Sequence, residues 1–164
     1  MEQKRIEPQP GQESVWDYPR PPRVEDSAKH IKIVFNNVVI ADTRRAKRVI
    51  ETSSPPVYYI PPEDIKMEHL KRIQKNTICE WKGIASYYTV IVGERQAKNA
   101  AWFYLNPTSG YISIKNYVAF YPQRMDACYV DGELVKPQPG SFYAGWITSD
   151  IVGPFKGEPG TEGW

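Results

Sequence analysis

Short runs of β-branched and aromatic residues recur along most of the chain, and turn-forming residues separate them. The runs fall at 31–35, 38–42, 57–60, 77–81, 84–93, 98–105, 117–122 and 127–130. Runs of this length with Gly, Pro, Asn or Asp between them are typical of strands in an all-β domain. The pattern therefore predicts a compact, mainly antiparallel β fold of about seven or eight short strands.

Two places in this pattern predict tight hairpins. Asn36 and Asn37 join two β-branched runs, and asparagine tolerates the positive φ that a two-residue hairpin turn needs. Asp131 and Gly132 have the same turn chemistry after the run at 127–130.

Helical signals are confined to two segments. Pro62 is suited to the first turn of a helix, with Glu63 and Asp64 at its positive end and basic residues at its negative end. The sequence therefore predicts one short helix near 62–72. Residues 43–51 fit either a second short helix or a twisted edge strand, and their basic side chains fit either a solvated face or an anion-binding one.

Both termini are rich in residues that interrupt regular structure. Residues 1–24 contain five prolines, and residues 136–164 contain four prolines and six glycines. We therefore predict an N-terminal arm at 1–24, a single β domain at 25–136 and an irregular C-terminal segment at 137–164. The termini contain several large aromatic residues, which pack either on the domain itself or on a partner subunit of a homo-oligomer.

Composition and charge narrow the class of protein. The 164 residues suit one domain, and a formal net charge of +2 is too balanced for a protein that binds nucleic-acid backbones. No apolar run is long enough to span a membrane, and the first 20 residues lack the pattern of a secretory signal. We expect a cytoplasmic protein with no nucleic-acid or membrane partner.

Known catalytic and metal-binding motifs are absent from the sequence. It has no phosphate-binding glycine loop, no nucleophile elbow and no H-E-x-x-H zinc motif. Cys79 and Cys128 lie in strand-like contexts without a C-x-x-C pair, and we interpret them as two buried thiols, with a disulfide or a catalytic thiolate as the alternatives. The D-x-E at 131–133 is a hairpin turn by composition. We therefore predict no metal and no cofactor.

Aromatic and charged residues that cluster on three predicted strands are the candidates for a functional site. Glu80 and Lys82 would share one face of a strand and Trp81 the other, since side chains alternate. Tyr58 and Tyr59 would likewise divide between core and cleft. The predicted ligand-binding residues are Tyr58, Tyr59, Trp81, Tyr88 and Trp102, and the acid–base candidates are Glu51, Glu80 and Lys82. Three functions remain open: a small-molecule binding domain, an enzyme using Glu/Lys acid–base chemistry, and an assembly protein without ligand.

Several longer strings carry a resemblance to a known family. ETSSPPVYYIPPED, CEWKGIASYYTV, AAWFYLNP and YVAFYP are similar to the domain of unknown function 427 family, a bacterial group that also has a nucleotidyltransferase-style name. The family usually has His where this chain has Ser54. The resemblance implies a compact, mainly β fold, either tent-like or barrel-like, and no established activity. The paired acidic metal ligands of nucleotidyltransferases are not found in the sequence.

Overall fold

A computed structural model describes residues 5–140, 142–161 and 163–164. The protein is mainly β, with 48% of its residues in strands and 11% in helical turns, so the predicted fold class is confirmed. The strands form large open antiparallel sheets, and the described residues contain no closed barrel.

Fifteen strands are present in the described residues, more than predicted because several short pairs form in the termini. They are β1 Glu13–Ser14, β2 Arg23–Asp26, β3 Ile31–Phe35, β4 Val38–Thr43, β5 Lys47–Glu51, β6 Ser54–Ile60, β7 Leu70–Cys79, β8 Gly83–Val92, β9 Arg95–Tyr104, β10 Val118–Phe120, β11 Ala127–Val130, β12 Glu133–Leu134, β13 Lys136–Pro137, β14 Trp146–Ile147 and β15 Ile151–Val152.

A seven-stranded antiparallel sheet forms the centre of the molecule, in the order β2-β5-β6-β10-β9-β8-β7. A four-stranded sheet, in the order β12-β11-β3-β4, packs over one of its faces. The hydrophobic core between the two sheets includes Ile33, Phe35, Tyr58 and Phe103. The opposite face of the seven-stranded sheet has its own, more aromatic cluster.

Both predicted hairpins are present. β3 and β4 are joined by Asn36 and Asn37, whose φ angles are 48° and 64°, as the turn chemistry requires. Asp131 and Gly132 join β11 to β12 and also have positive φ.

The predicted helix near 62–72 is wrong. Two 3-10 turns, Pro62–Asp64 and Met67–His69, take its place, and β7 begins at Leu70. Ile65, between the turns, pairs with Ala41, and Leu70 pairs with Val90. These tertiary strand pairings override a local helix preference, which is small per residue. Of the two interpretations of residues 43–51, the strand is present as β5, inside the sheet rather than at its edge.

The terminal segments pack on the chain's own domain. β1 and β15 pair in parallel, and Val15, Tyr18, Ile50 and Ile151 form a small buried cluster between them and the body. Trp146 is fully buried in the main core, and its indole N–H donates to the carbonyl of Phe120 at 3.3 Å. Cys79 and Cys128 are free thiols. Among the described residues, no helix has the length and apolar character needed to cross a membrane.

Candidate functional site

A cleft of about 250 Å³ lies on the aromatic face of the seven-stranded sheet, opposite the four-stranded sheet. Five of its lining rings come from three strands, β6, β8 and β9, and from the turn after β10, and we call it the aromatic cleft. The five rings are those of Tyr59, Tyr87, Trp102, Tyr104 and Tyr121. Its polar lining residues are Glu51, Ser54, Thr77, Lys82 and Gln138.

The aromatic floor of the cleft follows from the register of four neighbouring strands. Tyr59, Ala119, Trp102 and Tyr87 are paired in one row across β6, β10, β9 and β8. Ala119 has only a methyl side chain, so the rings of Tyr59 and Trp102 meet above it. Their centroids are 6.1 Å apart in an edge-to-face arrangement.

Two hydrogen bonds involve the hydroxyl groups of the cleft. The oxygen of Tyr59 accepts a hydrogen bond from Trp102 Nε1 at 3.3 Å. The Tyr87 hydroxyl lies 2.9 Å from Thr77 Oγ1, within hydrogen-bonding distance. Burial raises the pKa of Tyr59, Tyr104 and Tyr121, so all three phenols are neutral at physiological pH.

Lys82 reaches the cleft from the loop between β7 and β8. Cys79 pairs with Gly83, so residues 80–82 form the loop, and Gly83 has a φ of +109°. Thr108 fixes the loop: its Oγ1 donates to the carbonyl of Trp81 at 2.6 Å, and its N–H donates to that of Lys82 at 3.0 Å. This anchoring holds the ammonium group above the aromatic floor, 6.0 Å from the centroid of the Tyr104 ring.

The ammonium of Lys82 stays charged in this position. Burial by itself lowers the pKa of Lys82. Tyr59, Cys79 and Glu51 together raise this pKa by more than burial lowers it, so the net pKa lies above the ordinary value of a lysine. Lys82 therefore supplies a positive charge to the cleft.

Glu51 is the carboxylate among the described lining residues. It ends β5, and its Oε2 lies 3.4 Å from the Nε of Arg20 in the N-terminal arm. The arm therefore neutralises the carboxylate that shares the cleft with Lys82.

The C-terminal segment closes one side of the cleft. Gln138 is buried, and its amide is used on both sides: Oε1 accepts from the N–H of Gly145 at 3.1 Å, and Nε2 donates to the carbonyl of Lys156 at 2.7 Å. Gln123 donates to the carbonyl of Tyr143 at 2.9 Å. These bonds hold Phe142, Tyr143 and Ala144 against the opening.

The structure brings four of the predicted site residues together and separates the other four. Glu51, Tyr59, Lys82 and Trp102 line the aromatic cleft. Tyr58 lies on the other face of the sheet against Trp146, in keeping with the predicted division of the tyrosine pair. Tyr88 also lies on that face, stacked on Phe103. Glu80 and Trp81 lie in the loop, outside the lining, and Glu80 is exposed.

The strand prediction for residues 80–82 is wrong, and this explains part of the difference. β7 ends at Cys79, so the two-residue alternation does not extend to Glu80 and Lys82, and they do not share a sheet face. Glu80 and Lys82 therefore do not form a pair on one strand face. Lys82 enters the cleft because of the loop geometry.

Several lining residues were not among the predicted site residues. Tyr104 lies two positions after Trp102, so strand alternation alone indicates that both share a face. Tyr87 lines the cleft because it pairs with Trp102 across β8 and β9. No local sequence pattern indicates this register. Gln138 and residues 142–144 come from the irregular C-terminal segment, whose path the sequence does not indicate.

This chain is similar in sequence to a known protein family. The family model described as Domain of unknown function (DUF427), with the name NTP_transf_9, matches residues 23–131, which is more than half of the chain. The chain belongs to the DUF427 family. No curated protein matches it. The matched DUF427 region contains all five aromatic residues of the cleft and Lys82. Arg20 and the C-terminal residues that close the cleft lie outside the matched region. Within the described residues, no group of three or more His, Cys, Asp or Glu could hold a metal ion.

Proposed function

We propose that this DUF427 protein is a small-molecule binding domain and that the aromatic cleft is its binding site. The observation that carries this proposal is the convergence of five aromatic rings and one ammonium group around a single concave site. An apolar, aromatic lining with a few placed polar groups is the usual composition of a ligand site.

The size of the cleft favours a small ligand. Its volume of about 250 Å³ lies below the roughly 300–1,000 Å³ of sites for drug-sized molecules. The floor is built on four paired strands, so its geometry is rigid before any ligand binds. A preformed site avoids much of the ordering cost of binding.

Blocking the cleft tests the proposal directly. Thr77 is exposed on β7 and lines the cleft, whereas Ile78 points to the other face of the same strand. Thr77→Trp places a ring over the opening, and Ile78→Trp is the matched control. We expect a co-purifying small molecule in native mass spectrometry, or fragment-induced NMR shifts at Trp102, for the wild type and the control only. Equal ligand content or equal shifts in all three proteins would contradict the proposal.

Acid–base catalysis is the alternative from the enzyme class, and its support is weaker. Glu51 and Lys82 share the cleft, but Glu51 is paired with Arg20 and the pKa of Lys82 is raised. A general base needs a pKa near the working pH. We therefore favour binding over catalysis at this site.

Self-association remains a second proposal, and a different surface supports it. Ile78 and Ile84 are paired across β7 and β8, and Leu105 follows β9 beside them, on the face opposite the cleft. All three are exposed, Ile78 to 84%. Adjacent exposed apolar side chains are typical of protein interfaces. We expect sedimentation to show a homo-oligomer that Ile78→Thr with Ile84→Thr dissociates, and a wild-type monomer at high concentration would refute it.

A further inference from the structure

Resting on the proposed function, we propose that the ligand of the aromatic cleft is a small, flat molecule with a single carboxylate group. The carboxylate binds the ammonium of Lys82, and the flat body lies among the aromatic rings. The inference names the chemical class of the ligand and the residue that selects it.

The first step concerns the missing counter-ion of Lys82. Nine ion pairs within 4.0 Å are formed by the described residues, and none of them includes Lys82. The carboxylate of Glu51, which shares the cleft, lies against Arg20 instead. Glu51 attracts the ammonium across the cleft but does not contact it, which leaves the position of a direct ion pair open to an anionic ligand.

The second step concerns the number of charges. Lys82 is the single basic residue among the described lining residues of the cleft. One ammonium matches one carboxylate, whereas phosphate recognition ordinarily uses several donors or the fork of an arginine. The ammonium groups of Lys75 and Lys156 lie over the rings of Tyr87 and Tyr143, 4.9 and 5.7 Å from the ring centroids, and neither residue lines the cleft.

The third step concerns a second donor beside the ammonium. The oxygen of Tyr59 accepts a hydrogen bond from Trp102 Nε1, and the neutral phenol keeps its own O–H to donate. Lys82 and Tyr59 both line the cleft. The ammonium and the phenol therefore match the two oxygens of one carboxylate.

The fourth step concerns the shape of the remaining space. Trp102 and Tyr121 lie with ring centroids 4.8 Å apart, and Tyr59 and Tyr104 at 6.4 Å. Rings packed in this way present π faces and edges to the cleft, which favours a planar ligand by stacking and edge contacts.

Matched pairs of probes test the charge requirement. The probes are benzoate with benzamide and indole-3-carboxylate with indole-3-carboxamide, titrated into the protein and followed by NMR shifts at Trp102. In each pair the amide keeps the shape and loses the charge. We expect at least one carboxylate to bind about 10- to 100-fold more tightly than its amide, the range for a hydrogen bond to a charged group.

Substitutions at Lys82 assign this preference to one residue. Lys82→Met keeps the aliphatic stem and removes the charge, so we expect carboxylate and amide to bind equally. Lys82→Arg should keep the preference for the carboxylate. Lys75→Met is the matched control, since it removes an ammonium that does not line the cleft. A thermal melt of each variant confirms folding. If Lys82→Met does not fold, the affinities of the wild-type protein for each carboxylate and its matching amide test the carboxylate preference.

The results separate this inference from the proposed function. If the amides bind the cleft as tightly as the carboxylates, or if phenyl phosphate binds more tightly than benzoate, the carboxylate inference is wrong and the binding domain stands. If no probe shifts the Trp102 signal and native mass spectrometry finds no ligand, both are wrong.

Discussion

Trp102 donates its indole N–H to the hydroxyl of Tyr59 at 3.3 Å, although their strands, β9 and β6, are not neighbours in the sheet. β10 lies between them, and Ala119 is its residue in the same row. Neighbouring strands are about 4.8 Å apart, so the two side chains span roughly twice that distance. The contact is possible because the residue between them is small, and it forms the floor of the aromatic cleft.

A larger residue at position 119 should separate this pair. Ala119 is fully buried, and Ala119→Leu forces additional carbon atoms between two rings. We expect a loss of about 1–3 kcal/mol in the free energy of unfolding, as for overpacked cores, together with a shift in Trp102 fluorescence. Chemical denaturation measures the first quantity.

Tyr59→Phe serves as the comparison for this prediction, because it removes the hydroxyl and keeps the ring. It should cost only about 1 kcal/mol, the contribution of one hydrogen bond. An Ala119→Leu protein as stable as the wild type would show that the close approach of the two rings is unimportant.

Gly83 should be required for the position of Lys82. Its φ of +109° is accessible to glycine and strained for other residues. We expect Gly83→Ala to destabilise the β7–β8 loop by about 1–2 kcal/mol and to weaken carboxylate binding. Gly110→Ala is the matched control, because a Cβ there meets nothing within 4 Å and no positive φ is involved. Equal effects of the two substitutions on probe binding would contradict the role of the loop.

The sequence predicted those parts of the fold that depend on local chemistry. The Asn36–Asn37 and Asp131–Gly132 hairpins follow from residues that adopt positive φ, and the structure has both. The helix near 62–72 was wrong because Ile65 and Leu70 join strands that are distant in sequence. Local preference does not reveal such a pairing.

The candidate site divides in the same way. Alternation places Trp102 and Tyr104 on one face, and it separates Tyr58 from Tyr59. The path of the C-terminal segment and the row that joins Tyr59 to Tyr87 depend on long-range register. Lys82 was predicted as a site residue on the assumption that it lies in a strand. The strand ends at Cys79, so the prediction identified the right residue but not the loop that places it in the cleft.

The carboxylate preference should be independent of pH between 6 and 9. The pKa of Lys82 lies above its ordinary value, so the ammonium is fully formed throughout this range and is lost only at higher pH. The titratable groups that face it are Glu51, Tyr59, Cys79, Tyr104 and Tyr111. A fall in the ratio of carboxylate to amide affinity between pH 7 and 9 would indicate that the pKa is lowered instead.

Acid should loosen the N-terminal arm before the domain unfolds. Burial raises the pKa of the Glu13 carboxyl. Hydrogen bonds from Arg48 and Tyr18 lower this pKa by more than burial raises it, so the net pKa lies below the ordinary value. The Glu13 carboxylate therefore contributes stability that is present above its unfolded pKa and is lost as the pH falls through the folded pKa. Hydrogen exchange of residues 13–18 should accelerate below about pH 4.

Substitution of Arg48 should shift this transition upward. Arg48 binds both Glu13 and Glu25, and Arg48→Met leaves the two carboxylates without their shared partner. We expect faster exchange in the arm at neutral pH and a cost of about 1–3 kcal/mol. The exposed Arg44 gives the control Arg44→Met. An arm whose exchange does not respond to Arg48→Met would show that other contacts hold it.

The C-terminal segment should be part of the folded core rather than an appendage. Trp146 is fully buried against Tyr58, with ring centroids 5.2 Å apart, whereas Phe142, four residues earlier, is 85% exposed. Trp146→Ala leaves a large cavity, and we expect it to lower the free energy of unfolding by about 3–5 kcal/mol. Phe142→Ala should leave stability within about 0.5 kcal/mol of the wild type, as for surface substitutions, while it changes the opening of the cleft. Similar melting temperatures for the two variants would mean that the segment does not pack on the domain in solution.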